Sequence, residues 1–104
     1  MSNNIAYDEM VRTIGESYVQ LSEMAYEQYK PVAQDLCSRI APEDETEYTL
    51  DRMLDFCGSE KVLDLFKMIC RKYIFIYPEM ISSEIQAYRE MYDNNEDEYN
   101  EQIG

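Results

Sequence analysis

The stretch that most constrains the fold is residues 59–77, SEKVLDLFKMICRKYIFIY. Four of its charged residues recur at steps of four, three and four positions, which places them in one narrow stripe along a helix: Glu60, Asp64, Lys67 and Arg71. Nearly every other position is apolar, so such a helix must be covered over most of its circumference. The charges of this stripe, and a length short of the ~20 apolar residues of a membrane span, argue against a transmembrane helix. The stretch therefore predicts the central helix of a small bundle.

The rest of the chain is also expected to be helical. Its 104 residues suit one domain, and only three glycines and three prolines argue against a loop-rich or all-β fold. We therefore predict an all-α fold: a single small domain of four to five helices in an irregular antiparallel bundle around the buried helix at about 59–77. The bundle is expected to cover residues 1–92, and the acidic residues 93–104 are expected to form a frayed or disordered tail.

The first helix is expected to run to about Lys30 with one apolar face turned inward. Eight residues share this face: Tyr7, Met10, Val11, Ile14, Tyr18, Leu21, Met24 and Ala25. Pro31 has no backbone N–H and disfavours helical geometry at the residue before it, which predicts a kink or a short break. A further helix would then bury a second apolar set: Val32, Ala33, Leu36, Cys37 and Ile40.

Two more helices complete the predicted bundle. After an acidic connection at 41–46, a short helix has four apolar positions at helical spacing: Leu50, Met53, Leu54 and Cys57. Gly58 is suited to end this helix in a left-handed conformation, and Ser59 to cap the central helix. Pro78 suits the first position of the last helix. The inner face of that helix is expected to hold Ile81, Ile85, Tyr88 and Met91 or Tyr92.

The residue types exclude much enzyme chemistry. The chain has no histidine, no glycine-rich phosphate loop and no nucleophile motif, so a non-enzymatic protein is expected. Cys37, Cys57 and Cys70 are odd in number and form no CxxC, which favours buried free thiols in a reducing compartment. A calcium loop beginning at Asp93 would lack the glycine and the glutamate it needs, so no metal and no cofactor are expected. The polar N-terminus, MSNNIAYDEM, favours a cytoplasmic location.

Charge gives the strongest indication of function. The 22 acidic and nine basic residues give a net charge of −13, which repels nucleic acids and anionic membranes and attracts basic proteins. One acidic row lies opposite the apolar face of the first helix: Glu9, Glu16, Glu23 and Glu27. A second surrounds the short helix: Glu43, Asp44, Glu45, Glu47, Asp51 and Asp55. With Tyr26 and Tyr48, which lie off the main apolar faces, these rows are the candidate partner-binding residues. The alternative is a solvated acidic surface.

In size, charge and predicted helicity the chain resembles two classes of small acidic helical protein. One comprises phage-borne DNA-mimic inhibitors of host defence nucleases, including anti-CRISPR proteins; the other comprises bacterial immunity proteins that neutralise basic nuclease toxins. No motif carries the resemblance, so no residue roles transfer. It implies an inhibitor that occupies the basic groove of a nucleic-acid-binding protein or nuclease, in the host cytoplasm if phage-encoded. A different alternative is a structural or adaptor subunit that forms a helical homodimer.

Overall fold

The computed structural model describes residues 2–93, with side chains from residue 6 onward. It contains four α-helices: α1 (Ser2–Ser38), α2 (Glu43–Met53), α3 (Glu60–Tyr73) and α4 (Pro78–Tyr92). A 3₁₀ turn, Leu54–Phe56, follows α2. No strand occurs in this range, and the predicted all-α bundle is confirmed. The predicted acidic tail lies outside the described residues from position 94 onward.

Helix α3 is the centre of the bundle, as predicted. It packs against α1, α2 and α4, and its polar stripe of Glu60, Asp64, Lys67 and Arg71 is exposed. The opposite side is buried through six residues: Val62, Leu65, Phe66, Ile69, Cys70 and Tyr73. The helix ends at Tyr73, four residues earlier than predicted. Pro78 disfavours helical geometry at Tyr77 and has no N–H to donate to the carbonyl oxygen of Ile74, four residues before it.

Polar contacts from the end of α3 fix the turn that follows α1. The Tyr73 hydroxyl accepts the N–H of Ala41 (3.0 Å) and lies 2.7 Å from the carbonyl oxygen of Leu36. The Lys72 ammonium donates to the carbonyl oxygens of Leu36 (3.2 Å) and Cys37 (2.8 Å). These donors satisfy carbonyl groups that the end of a helix leaves without partners. The turn between α1 and α2 is therefore anchored on α3.

The prediction of a break at Pro31 is wrong, because α1 continues through it to Ser38. Because Pro31 has no N–H, the carbonyl oxygen of Glu27 lacks its usual helical hydrogen bond. Pro31 and Glu27 are both exposed, so water can donate to this oxygen instead. Ala25 and Ala33, on either side, are buried in the core. Packing along this side keeps the helix continuous. Ile40 lies beyond its end and is exposed, which corrects the prediction that it is buried.

Most of the N-terminal half of α1 lacks a covering partner among the described residues, although the Tyr18 hydroxyl reaches the carbonyl oxygen of Asp55 (3.5 Å). All residues from 6 to 21 are exposed, although the sequence predicts an inward apolar face there. A 37-residue helix extends ~56 Å, whereas the 14 residues of α3 span only ~21 Å. The length of α1 therefore exceeds what the bundle can cover. Of the eight predicted inner residues, only Ala25 is buried.

Helix α2 begins within the segment predicted as a connection. Pro42 is its N-cap residue, and three acidic side chains lie in its first turn, where the helix dipole favours negative charge: Glu43, Asp44 and Glu45. The predicted apolar positions are confirmed as buried: Leu50, Met53, Leu54 and Cys57.

Gly58 does not adopt the left-handed conformation predicted for it. A Cβ atom at this position would lie 2.7 Å from the Tyr18 hydroxyl. The absence of a side chain thus leaves room for the tip of the Tyr18 side chain beside the turn before α3. Ser59 occupies the predicted N-cap position, but its side chain makes no capping hydrogen bond.

Helix α4 begins at Pro78, as predicted, but its inner face is rotated from the predicted one. Met80, Ile81 and Glu84 are buried, and Tyr88 and Tyr92 pack against the core. Ile85 is exposed, contrary to the prediction, and of the alternatives Met91 and Tyr92 it is Tyr92 that packs inward. A carboxylate therefore lies where the sequence predicts only apolar side chains.

Candidate functional site

The acidic row of α1 is exposed, as the sequence predicts, and half of it has a basic neighbour. Glu16 lies 3.8 Å from Arg12 on the same helix, and Glu23 lies 3.6 Å from Lys61 of α3. Both pairs are solvent-exposed, and such pairs contribute little to stability. Their main effect is to reduce the local negative charge. Glu9 and Glu27 complete the row on the side away from the apolar face.

The second row forms what we call the α2 acidic surface, whose six residues are all exposed: Glu43, Asp44, Glu45, Glu47, Asp51 and Asp55. Of these, Glu45 is the one in an ion pair within residues 6–93, and its partner is Arg39. Arg39 also binds Asp35 at 2.9 Å, and its hydrogen bond lowers the pKa of that carboxyl. The α2 acidic surface is thus less neutralised than the row on α1.

The two candidate tyrosines differ in accessibility. Tyr48 is exposed, with the Arg52 guanidinium 5.3 Å from its ring centre, a cation–π contact. Tyr26 is half-buried against the core, and the ammonium groups of Lys30 and Lys61 lie 5.9 and 5.5 Å from its ring centre. Tyr48 is therefore available to a partner. Tyr26 is less accessible because Lys61 of α3 lies over its ring, and its role in partner binding stays a prediction.

A buried carboxylate, which was not predicted from the sequence, lies beneath the α2 acidic surface. Glu84 of α4 is only 4% exposed, and one oxygen each from Glu47, Asp51 and Glu84 lie within 4.8 Å of one another. Burial raises the pKa of Glu84 to about 8, with further contributions from a hydrogen bond with Asp51 and from the charges of Asp51 and Glu47. The spacing of Glu84 with Ile81 and Tyr88 was the available signal, because all three share one helical face.

The exposed half of α1 carries a second candidate surface, which we call the free α1 face. Its seven side chains are 40–66% exposed: Tyr7, Met10, Val11, Ile14, Tyr18, Leu21 and Met24. They continue the side of α1 that packs on the bundle farther along, at Ala25, Ala33 and Leu36. The acidic row of α1 lies on the opposite side of the helix. One helix thus presents an apolar surface and an acidic surface in opposite directions.

Reactive groups are scarce in the part of the chain that the structure describes. Burial raises the pKa of Cys57 and of Cys70 to about 12, so both thiols are protonated at neutral pH and are weak nucleophiles. A cavity of about 420 Å³ lies between α3 and α4, with Phe66 and Tyr88 among its apolar lining residues and Lys67 and Arg71 among its basic ones. These features provide no pairing of a nucleophile with a base.

Comparisons with protein-family models, with curated proteins and with solved structures each found no match. Among the described helices, none is long and apolar enough to cross a membrane. The surfaces themselves therefore carry the functional argument.

Proposed function

We propose that this protein is a non-enzymatic inhibitor whose α2 acidic surface binds a basic, nucleic-acid-binding groove of a partner protein. The activity would be of the DNA-mimic type, as in phage anti-defence or anti-CRISPR proteins acting in a host cytoplasm. The observation that carries the proposal is the set of six exposed carboxylates at 43–55, of which only Glu45 has a basic partner in the described range. An immunity protein against a basic nuclease toxin would use the same binding chemistry.

The density of charge on this surface supports the proposal. Thirteen residues of helix and turn extend ~18 Å, so six carboxylates give about one negative charge per 3 Å. One strand of B-DNA carries a phosphate about every 3.4 Å of axis. Because the carboxylates lie on packed helices, a partner would meet them with little loss of conformational entropy. A basic groove would then exchange phosphate contacts for carboxylate contacts.

Charge reversal on the α2 acidic surface is expected to weaken partner binding more than the same charge reversal elsewhere in the chain. Replacing Glu47, Asp51 and Asp55 with lysine changes the net charge from −13 to −7. The same change at Glu9, Glu16 and Glu23 of α1 should weaken binding less, because that row already has basic neighbours. Asp97, Glu98 and Glu101, outside the described residues, provide the matched control.

Affinity for the partner, captured from a nuclease-rich lysate and eluted with salt, would be measured by calorimetry for each variant. The α2 variant should bind at least tenfold more weakly than the control, because charge pairs desolvated in a groove reach several kcal/mol. The proposal fails if the α2 variant and the tail variant bind equally well.

A second candidate function is a structural or adaptor subunit that pairs with another copy through the free α1 face. Each of its seven side chains leaves on the order of 100 Å² exposed, so the face offers on the order of 700 Å² per chain. This approaches the ~800 Å² that each partner contributes to a standard interface. The acidic rows would point outward in such a dimer, so the two functions are compatible.

Substitutions on the free α1 face are expected to separate the dimer. Wild-type protein should sediment at twice the 12.4 kDa chain mass, and more completely at high salt, which screens repulsion between the two acidic chains. Replacing Ile14 and Leu21 with lysine should give a monomer. The matched control places lysine at Thr13 and Gln20, which are exposed on the other side of α1. A wild-type monomer at 100 µM, or equal effects of both pairs, would rule out this candidate.

A further inference from the structure

Glu47, Asp51 and Glu84 form a cluster that we call the carboxylate trio. It lies where α2 contacts α4, and one oxygen from each side chain lies within 4.8 Å of the others. Glu84 forms the buried side of the trio, whereas Glu47 and Asp51 are exposed. The trio is therefore open to solvent on the α2 side. Three ionised carboxylates at this separation would repel one another, so the trio favours a bound proton or a bound cation.

An unpartnered oxygen marks the buried side of the trio. Glu84 is 96% removed from solvent, and its Oε1 atom has no hydrogen-bond partner. A buried carboxylate oxygen that lacks a donor is costly, and the ion pairs of Arg12, Arg39 and Lys61 include no member of the trio. A ligand bound on the buried side of the trio would satisfy this oxygen.

We propose that the carboxylate trio binds a hard divalent cation, with Ca²⁺ as the best fit. The ligand set consists of carboxylate oxygens alone, which suits Ca²⁺ and Mg²⁺ better than the softer metals that prefer imidazole or thiolate. Two oxygens on one ion can be no farther apart than twice the metal–oxygen distance, ~4.6–5.2 Å for Ca²⁺ and ~4.2 Å for Mg²⁺. Separations of up to 4.8 Å therefore fit Ca²⁺ with less movement than Mg²⁺ requires.

Binding would use each member of the trio differently. Glu84 would supply a ligand from the core, while Glu47 and Asp51, one helical turn apart on α2, would close the site from the surface. Water would complete the coordination on the exposed side, because Ca²⁺ takes six to eight ligands. The ion would reduce the charge of the fully ionised trio from −3 to −1 and hold α2 against α4. The sequence analysis, which expects no metal, did not include Glu84.

A proton competes with the ion for Glu84. The titratable groups that face Glu84 are Asp51 and Glu47 of α2 and Cys70 of α3. Burial and the neighbouring Asp51 and Glu47 disfavour ionisation of Glu84, so its carboxyl holds a proton near neutral pH in the absence of metal. Cation binding must release that proton. Affinity is therefore expected to increase from pH 6 to pH 8.

Calorimetry on EDTA-treated, desalted protein tests the proposal with CaCl₂ and MgCl₂ as the probes. One Ca²⁺ per chain should bind saturably, with a dissociation constant on the order of 10⁻⁴–10⁻³ M. Mg²⁺ should bind more weakly. The melting temperature should rise with CaCl₂ relative to NaCl of equal ionic strength. Glu84→Gln should weaken Ca²⁺ binding at least tenfold. Asp51→Asn should independently have the same effect, so the test remains decisive if one of the two variants folds poorly.

The matched control is Asp55→Asn, which removes one charge from the same surface outside the trio. It should retain Ca²⁺ affinity within twofold of wild type. The proposal is overturned if no saturable binding occurs up to 10 mM CaCl₂. It is also overturned if Asp55→Asn weakens binding as much as Glu84→Gln does, because the ions would then be a diffuse atmosphere around an acidic surface.

Discussion

Replacing Phe66 with alanine is expected to lower the free energy of unfolding by about 3–5 kcal/mol. Phe66 is 3% exposed on the buried side of α3, and its ring centre lies 6.1 Å from that of Tyr88 on α4. Removing the ring leaves a cavity between the central helix and its neighbour. A loss of this size is a large share of the ~5–15 kcal/mol that stabilises a domain.

Phe75 provides the matched control for that experiment. It lies in the turn after α3 and is 91% exposed, so Phe75→Ala should change stability by no more than ~0.5 kcal/mol. Urea unfolding, followed by circular dichroism, measures both variants. If the two substitutions lowered the free energy of unfolding equally, Phe66 would not lie on the buried side of α3.

Glu84→Gln is expected to stabilise the metal-free protein, and the gain should increase with pH. The folded pKa of Glu84, about 8, lies above its ordinary value of 4.5, so the folded state holds a proton that the unfolded state has released. The contribution of Glu84 to the free energy of unfolding is fully present below pH 4.5. It is lost as the pH rises through 8, by about 1.4 kcal/mol per pH unit. Glutamine cannot ionise, so the variant should keep that stability.

Urea unfolding in EDTA at pH 5 to 8 measures this effect. The difference between Glu84→Gln and wild type should grow with pH, to at most about 4 kcal/mol. Glu27→Gln removes an exposed carboxylate on α1 and should leave the pH dependence unchanged. Parallel curves for wild type and Glu84→Gln would show that Glu84 is already ionised in the folded protein.

The central helix could be predicted from the sequence because its pattern is local. The polar residues of α3 recur at helical spacing within one segment. This spacing alone assigned Phe66 and Ile69 to the buried side, where the structure places them. The same reasoning identified the apolar face of α1. It could not show what covers that face, because coverage depends on the lengths of the other helices.

Residue type misled the prediction for α4. The sequence analysis placed Ile85 inside because it is apolar, and it did not consider Glu84, although Glu84 shares a helical face with Ile81. The rotation that buries Glu84 depends on how α4 packs against α2, which is a tertiary property. Similarly, the Arg12–Glu16 pair can be read from spacing along one helix, whereas the Glu23–Lys61 pair requires the fold.

Competition with nucleic acid tests the proposed inhibitor function most directly. Fluorescence anisotropy would follow a labelled DNA or RNA oligonucleotide bound to the captured partner while this protein is added. Wild type and the tail-reversed control should displace the oligonucleotide stoichiometrically, with displacement weakening as salt rises. The variant reversed at Glu47, Asp51 and Asp55 should require at least tenfold more protein. A ternary complex in which the partner holds this protein and the oligonucleotide together would contradict the proposal.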